Sequence, residues 1–244
     1  GRIGKLQRII VGLPSGPDGP GDATPQPIPP GFDFDMWLGP APKVPFRSGL
    51  HTFHWRWCSD YSGGMLADWG AHLLDTAQWA NDTERTGPVE VSGTGKRFAT
   101  GLYDTFYDFD LNYRYANGVE MRVQSGDVRL RFEGADGWIG NEGWIGKLEA
   151  SAPDILNTTI GPDEIHLFTE PGGEHRNFLD CVKSRKDPYF PAEIGHRCCS
   201  IAHLGNICLE LGRTLRWDPE LERFQDDATA NRMLHRAMRQ PWSL

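Results

Sequence analysis

Asp68, His72 and Asp75 follow one another at intervals of four and three residues in "GGMLADWGAHLLDTAQWA" (63–80). On a helix advancing 100° per residue, these three and Trp79 fall within one narrow stripe. A histidine with carboxylates one turn away on both sides can exchange a proton near neutral pH. Ordinary (i,i+4) and (i,i+3) pairing on a wet helix face accounts for the same pattern without any chemistry. Two features favour the chemical reading. Gly63-Gly64 leaves room for a backbone or ligand at the helix start, and a tryptophan on a purely solvated face is unusual.

The periodicity predicts a helix over 63–81, with Leu66, Trp69, Leu73, Ala77 and Ala80 as its core side. Before it, "KLQRIIVGL" (5–13) reads as a strand. Residues 14–31, "PSGPDGPGDATPQPIPPG", carry seven Pro and four Gly and can hold neither a helix nor a central strand. They form a surface arm, and the turn-rich character continues through residue 46. After the helix come strand-like runs at 89–99, 108–116, 119–125 and 128–134. Asn117-Gly118 supplies the positive-φ turn of a hairpin. "GWIG" occurs at 137–140 and 143–146, which reads as a tight turn between short strands. Helices are predicted at 172–188, stopped by Pro188, at 191–212, ending on Gly212, and at 226–239. Phe178, Leu179 and Val182 share one stripe of the first of these. Clustered strands followed by helices predict a mostly antiparallel α+β domain rather than a doubly wound sheet.

The chain has 244 residues, a net charge of −8 and a pI of about 5.5. The acidic balance argues against a nucleic-acid binder. No apolar run approaches the roughly 20 residues of a membrane span, and "GRIGKLQRII" is not a signal peptide. Five cysteines without paired spacing indicate reduced thiols and a cytoplasmic setting. A leader preceding residue 1 would make that setting periplasmic. His196, Cys199 and His203 recur along one helix, but three ligands spread over two turns rarely converge on one ion, so no metal is expected. Neither a G-x-S-x-G elbow nor a Ser-His-Asp spacing around Ser200 supports a hydrolase. The run Lys183, Arg185, Lys186 reads as a solvated helix end whose cations complement the dipole.

The segment "SGGMLADWGAHLLDTAQWA" resembles the substrate-domain motif of the Gfo/Idh/MocA family of sugar and cyclitol oxidoreductases. "FDFDMWLGPAP", "FEGADGWIG", "RNFLDCVKSRKDP" and "EIGHRCCSIAHLGNICLELGRTLRWDPELERF" are similar to segments of a bacterial subgroup of that family, so the resemblance covers nearly the whole chain. It implies a large open sheet with helices packed on one face, and oligomer contacts through the other. A homo-oligomer is therefore expected, on the premise that a broad sheet face left in water would be an apolar patch. The resemblance also implies that Asp68 hydrogen-bonds substrate hydroxyls and supports His72. His72 would exchange the proton of the hydroxyl being oxidised. Asp75 joins them as a substrate-binding residue. The aromatic stretch 51–64 suits a polyol pocket, with Arg56 and Trp57 as wall residues. His196 and Arg197, on a helix that lies near the pocket in the family, are further substrate contacts.

Full-length relatives join a Rossmann domain to this one. No G-x-G-x-x-G lies between a strand and a helix here. "GTG" at 93–95 sits in a strand-like run, "GWIGNEGWIG" has the wrong spacing, and the family's Glu-Lys-Pro signature is not found. Residues 1–244 thus read as one C-terminal-type domain, with the dinucleotide-binding domain outside this chain. The expected function is the substrate-binding and oligomerisation domain of an NAD(P)-dependent oxidoreductase acting on a sugar, cyclitol or related polyol. These residues alone would be an incomplete dehydrogenase that does not hold NAD or NADP tightly. The alternatives are a cofactor-independent sugar-active enzyme (lyase, epimerase or glycosidase) and a non-catalytic sugar-binding subunit.

Overall fold

A computed structural model describes residues 1–50, 52–165 and 171–243. Among them, nine strands form one open sheet. In chain order they are β1 (Leu6–Leu13), β2 (Glu90–Lys96), β3 (Asp108–Arg114), β4 (Glu120–Ser125), β5 (Arg129–Gly134), β6 (Trp138–Glu142), β7 (Leu148–Ala150), β8 (Leu215–Asp218) and β9 (Arg223–Phe224). The spatial order is β7-β6-β5-β1-β4-β3-β2-β8-β9. Every neighbouring pair is antiparallel except β1 and β4, which run parallel with Ile9 opposite Met121 and Val11 opposite Val123. The fold is α+β, as the order of elements predicts.

Alternation along the strands sets which face is covered. Ile9, Val11 and Leu13 of β1, Phe109, Leu111 and Tyr113 of β3, and Met121 and Val123 of β4 all point inward and are buried. They meet the helices α2 (Gly64–Asp68), α3 (Gly70–Ala80) and α6 (Ala192–Leu211). Gly205 brings α6 close to the sheet: a Cβ there would lie 2.2 Å from Tyr113 Oη.

The opposite face carries Lys96, Asp108, Asp110, Arg114, Glu120, Arg122, Arg131 and Glu133 in the alternate register. Arg122 pairs with Asp110 at 2.6 Å, Lys96 with Asp108 at 2.6 Å and Arg114 with Glu90 at 2.9 Å. This corrects the premise of an apolar open face. The outward positions are charged and already matched across strands, so water can cover them without an oligomer.

The short helices α1 (Phe34–Leu38), α4 (Pro153–Leu156) and α7 (Ala228–Arg232), together with α5 (Gly173–Ser184), complete the chain. The Pro/Gly arm runs over the surface and is tied down at intervals, as where Leu102 N donates to Pro20 O and Gly16 N to Tyr107 O. Behind it Phe34, Leu38, Phe46, Leu50 and Cys58 form a second small core. The predicted helix 172–188 stops at Ser184, four residues before Pro188. Arg185 caps it in the left-handed region with φ 60. Phe178, Leu179 and Val182 are exposed rather than packed. The predicted helix 226–239 shrinks to Ala228–Arg232. Its tail is pulled away by Arg239, whose guanidinium donates to Asp35, Gly39 and Ala41 near α1.

All five cysteines are free thiols. Burial pushes Cys58 and Cys198 up to about 12 and Cys208 up to about 11, which leaves them unreactive. No helix among the described residues is long and apolar enough to cross a membrane.

Candidate active site

The predicted helix 63–81 is present as α2 and α3, which meet at Trp69. Trp69 itself has right-handed helical angles (φ −71, ψ −27), so the stripe survives the junction. The glycines at its start serve packing. Gly64 sits at φ +65 with Thr105 2.8 Å from where a Cβ would be, and a Cβ on Gly63 would strike Ala67 and Asn206. Asn206 Nδ2 donates to Gly63 O at 2.9 Å, locking the entry of α2 to α6. Leu66, Leu73 and Ala77 are buried as predicted, whereas Ala80 is exposed and Trp69 only partly covered.

Asp68 and His72 stand one turn apart, Asp68 partly buried and His72 exposed. The Asp68 carboxylate does not reach for the imidazole. Its Oδ2 accepts from Arg56 Nη1 at 2.9 Å. Arg56 Nε donates to Phe53 O at 3.0 Å, and the guanidinium lies 3.6 Å over the Phe53 ring. With side-chain exposures of 19% and 31%, Arg56 and Asp68 form a half-buried, fixed pair. No hydrogen-bond partner among the described residues occupies Asp68 Oδ1 or the His72 ring nitrogens, so both can meet a ligand hydroxyl.

Around His72 the neighbours are aromatic. Its ring centroid lies 5.1 Å from Trp144 and 6.2 Å from Trp69, and these two indoles are 5.2 Å apart. Trp144 comes from the β6–β7 turn. In the sequence that turn reads only as a link between short strands, with nothing that brings it to α3. Asp75, the next carboxylate along the stripe, is half-buried. Its pKa is raised, first by burial and then by Glu84, with His72 opposing.

The other candidates are placed elsewhere. Trp57 is 6% exposed within the main core, so its side chain forms no wall; its backbone carbonyl accepts from Asp104 and Thr105. His196 Nε2 lies 2.6 Å from Glu222 Oε1. Arg197 donates to Glu193 at 2.7 Å and to Pro219 O at 2.6 Å. Among the described residues no contact links either to Asp68 or His72. Cys198, on the same helix, packs instead against Ala71 O. His51, which opens the aromatic stretch, lies outside the described residues.

The glycine-rich segments do not fit a dinucleotide. Gly93 and Gly95 are in β2, where a Cβ would strike the backbone of β3 at Asp110 O and Asp108 O. Gly140 and Gly143 belong to the β6–β7 hairpin.

Residues 18–244 match the family model described as the oxidoreductase family, C-terminal alpha/beta domain, of Gfo/Idh/MocA type. The chain belongs to this family. No curated protein matches it. Among solved structures it is similar to the aldose-aldose oxidoreductase from Caulobacter crescentus complexed with glycerol (TM-score 0.58, 14% identity, 88% of this chain and 57% of that one). It is also similar to the WlbA dehydrogenase from Bordetella pertussis in complex with NADH and UDP-GlcNAcA (TM-score 0.57, 13% identity, 89% and 57%). A third likeness is to an NAD-binding protein from Listeria innocua (TM-score 0.55, 17% identity, 88% and 56%). At such identities these likenesses establish the fold. The chain spans little more than half the length of these relatives.

Proposed function

We propose that this chain is the substrate-binding domain of an NAD(P)-dependent oxidoreductase acting on a sugar, cyclitol or related polyol. The observation that carries this reading is the Asp68–His72 pair: one carboxylate oxygen is held by Arg56, and among the described residues the other oxygen and the imidazole one turn away have no hydrogen-bond partner. Asp68 Oδ1 accepts a hydrogen bond from a substrate hydroxyl and keeps its oxygen in place. His72 takes the proton of the hydroxyl that becomes a carbonyl, and returns it in the reverse direction. Arg56 acts through Asp68, as a positioning residue. Asp75 extends the polar stripe toward further hydroxyls.

The hydride acceptor belongs to a part of the protein other than these residues, since the glycines here are used for strand packing and turns. The fold relatives complexed with glycerol, and with NADH and UDP-GlcNAcA, are in keeping with this substrate and cofactor class. A homo-oligomer joined through the open sheet face is part of the same proposal, with the charged outward residues as its contact surface.

The test uses the intact protein, a panel of sugars and cyclitols, and NAD or NADP, followed at the nicotinamide absorbance. His72→Ala should lower kcat about 10²–10⁴-fold, the usual yield of a positioned general base, with a smaller effect on KM. Unchanged turnover would sink the role. Turnover of the same panel with no nicotinamide added would favour redox-neutral chemistry at this pair.

A further inference from the structure

Trp144 is far from His72 in sequence and against it in space. Its indole centroid is 5.1 Å from the imidazole at 63°, and 5.2 Å from Trp69 at 77°. Trp69 and His72 meet at 6.2 Å and 77°. All three pairs are edge-to-face, the arrangement that ring quadrupoles favour. No hydrogen bond among the described residues orients the His72 ring, and the nearby carboxylate of Asp68 is held by Arg56. Among the described residues, the ring contacts with the two indoles are the contacts that face the exposed His72 imidazole.

The turn that carries Trp144 is built to hold it there. Gly143 has φ +79, outside the range that suits a side chain, and a Cβ on Gly146 would fall 1.6 Å from Glu142 O. Asn141 Nδ2 donates to Gly143 O at 3.0 Å, and Gly143 N donates to Val128 O at 2.6 Å. These bonds fix the hairpin tip to β6 and to Val128, the residue before β5. Trp144 still keeps 51% of its surface exposed, and Ile145 keeps 91%. An indole placed for core packing alone would be covered.

We propose that Trp144 is a positioning residue of this site: it holds the His72 imidazole in place against Trp69 and, with Ile145, forms an apolar lip for the C–H face of a sugar ring. The inference rests on His72 being the proton-transfer group of the proposed function. It adds a residue from the β6–β7 edge of the sheet to the Asp68–His72 pair.

The test reads the contact without relying on catalysis. The intact protein is treated with diethyl pyrocarbonate, and carbethoxylation of individual histidines is followed by peptide mass spectrometry. Trp144→Ala should raise the rate at His72 about two- to tenfold, the population shift that ring pairs of this kind correspond to. Trp144→Phe, which keeps an edge-to-face partner, should stay near the wild-type rate. His175, whose side chain is 92% exposed, serves as the control and should react equally in all three proteins. A wild-type rate at His72 in Trp144→Ala would overturn the proposal, as would Trp144→Phe behaving like Trp144→Ala. In the turnover assay Trp144→Ala should lower kcat and raise KM together, with Trp144→Phe restoring kcat. If His72→Ala turns over normally, the proton-transfer reading fails, and the carbethoxylation rates still decide whether Trp144 holds the ring.

Discussion

The Asp68 carboxylate is bound by the Arg56 guanidinium at 2.9 Å, not by the His72 imidazole one helical turn away. The pair joins the start of the stripe to the 3-10 turn at His54–Trp57, so the segment before the helix helps to set the geometry on it. Arg56→Met removes the donor and leaves a partly buried carboxylate without a partner. The expected loss is about 1–3 kcal/mol, seen as a fall in Tm of roughly 2–4 °C per kcal/mol for a chain of this length. Arg56→Lys should recover only part of it, because one ammonium cannot reproduce the fork that serves both Asp68 and Phe53 O. Equal melting temperatures for wild type and Arg56→Met would show that the pair contributes nothing.

Asp75 should act against stability at neutral pH. Burial, helped by Glu84 and opposed by His72, raises its pKa in the folded protein. Its favourable contribution is complete below the carboxylate's unfolded value of about 4 and is lost as pH rises through the raised folded value. Asp75→Asn is neutral throughout. The variant should melt higher than wild type at about pH 7 and lose that advantage by about pH 3. A lower melting temperature at neutral pH would mean that the ionised carboxylate has a stabilising partner. If Asp75 also binds substrate, the stabilised variant should show a raised KM, the usual cost of relieving strain at a site.

The open sheet face makes a prediction about assembly. Its outward side chains pair within the chain, as Arg122 does with Asp110 and Lys96 with Asp108. Two such faces brought together meet as charged surfaces rather than as apolar ones. An oligomer formed this way should weaken as salt rises from about 0.05 to 0.5 M, because the screening length shrinks from above about 10 Å to a few Å. Static light scattering across that range would follow it. A monomer at micromolar concentration in every buffer would end the oligomer proposal.

Local signals in the sequence were enough for the parts of the fold governed by alternation and caps. Asn117-Gly118 turns the β3–β4 hairpin, with Gly118 at φ 88, and Gly212 ends α6 in the left-handed region. Long-range contacts were the parts that pattern could not foresee. Arg239 binds near α1 across about 200 residues, which shortens the last helix. Trp57 and Arg56 are adjacent in sequence, yet one enters the core and the other faces Asp68. At the site, the spacing of Asp68 and His72 was legible because a helix fixes it. The Arg56 pairing and the approach of Trp144 were not, because each depends on a separate element folding back, the first onto α2 and the second onto α3.

Two glycines on α6 separate close packing from simple conformational freedom. A Cβ at Gly205 would lie 2.2 Å from Tyr113 Oη, 2.8 Å from Leu66 and 3.0 Å from Leu111. Tyr113 is fully buried and its hydroxyl donates to Ile201 O at 3.2 Å, so it has little room to move. Gly205→Ala should therefore cost about 1–3 kcal/mol through overpacking. Because Leu66 sits two residues before Asp68, it should also disturb turnover. Gly195 lies in the same helix with nothing within 4 Å of its added Cβ. There the alanine removes freedom from the unfolded chain without a clash, and Gly195→Ala should gain about 0.4–1 kcal/mol. Denaturant melts of the two variants beside wild type give both signs in one experiment. Equal destabilisation by the two would mean that α6 does not approach the sheet at Gly205.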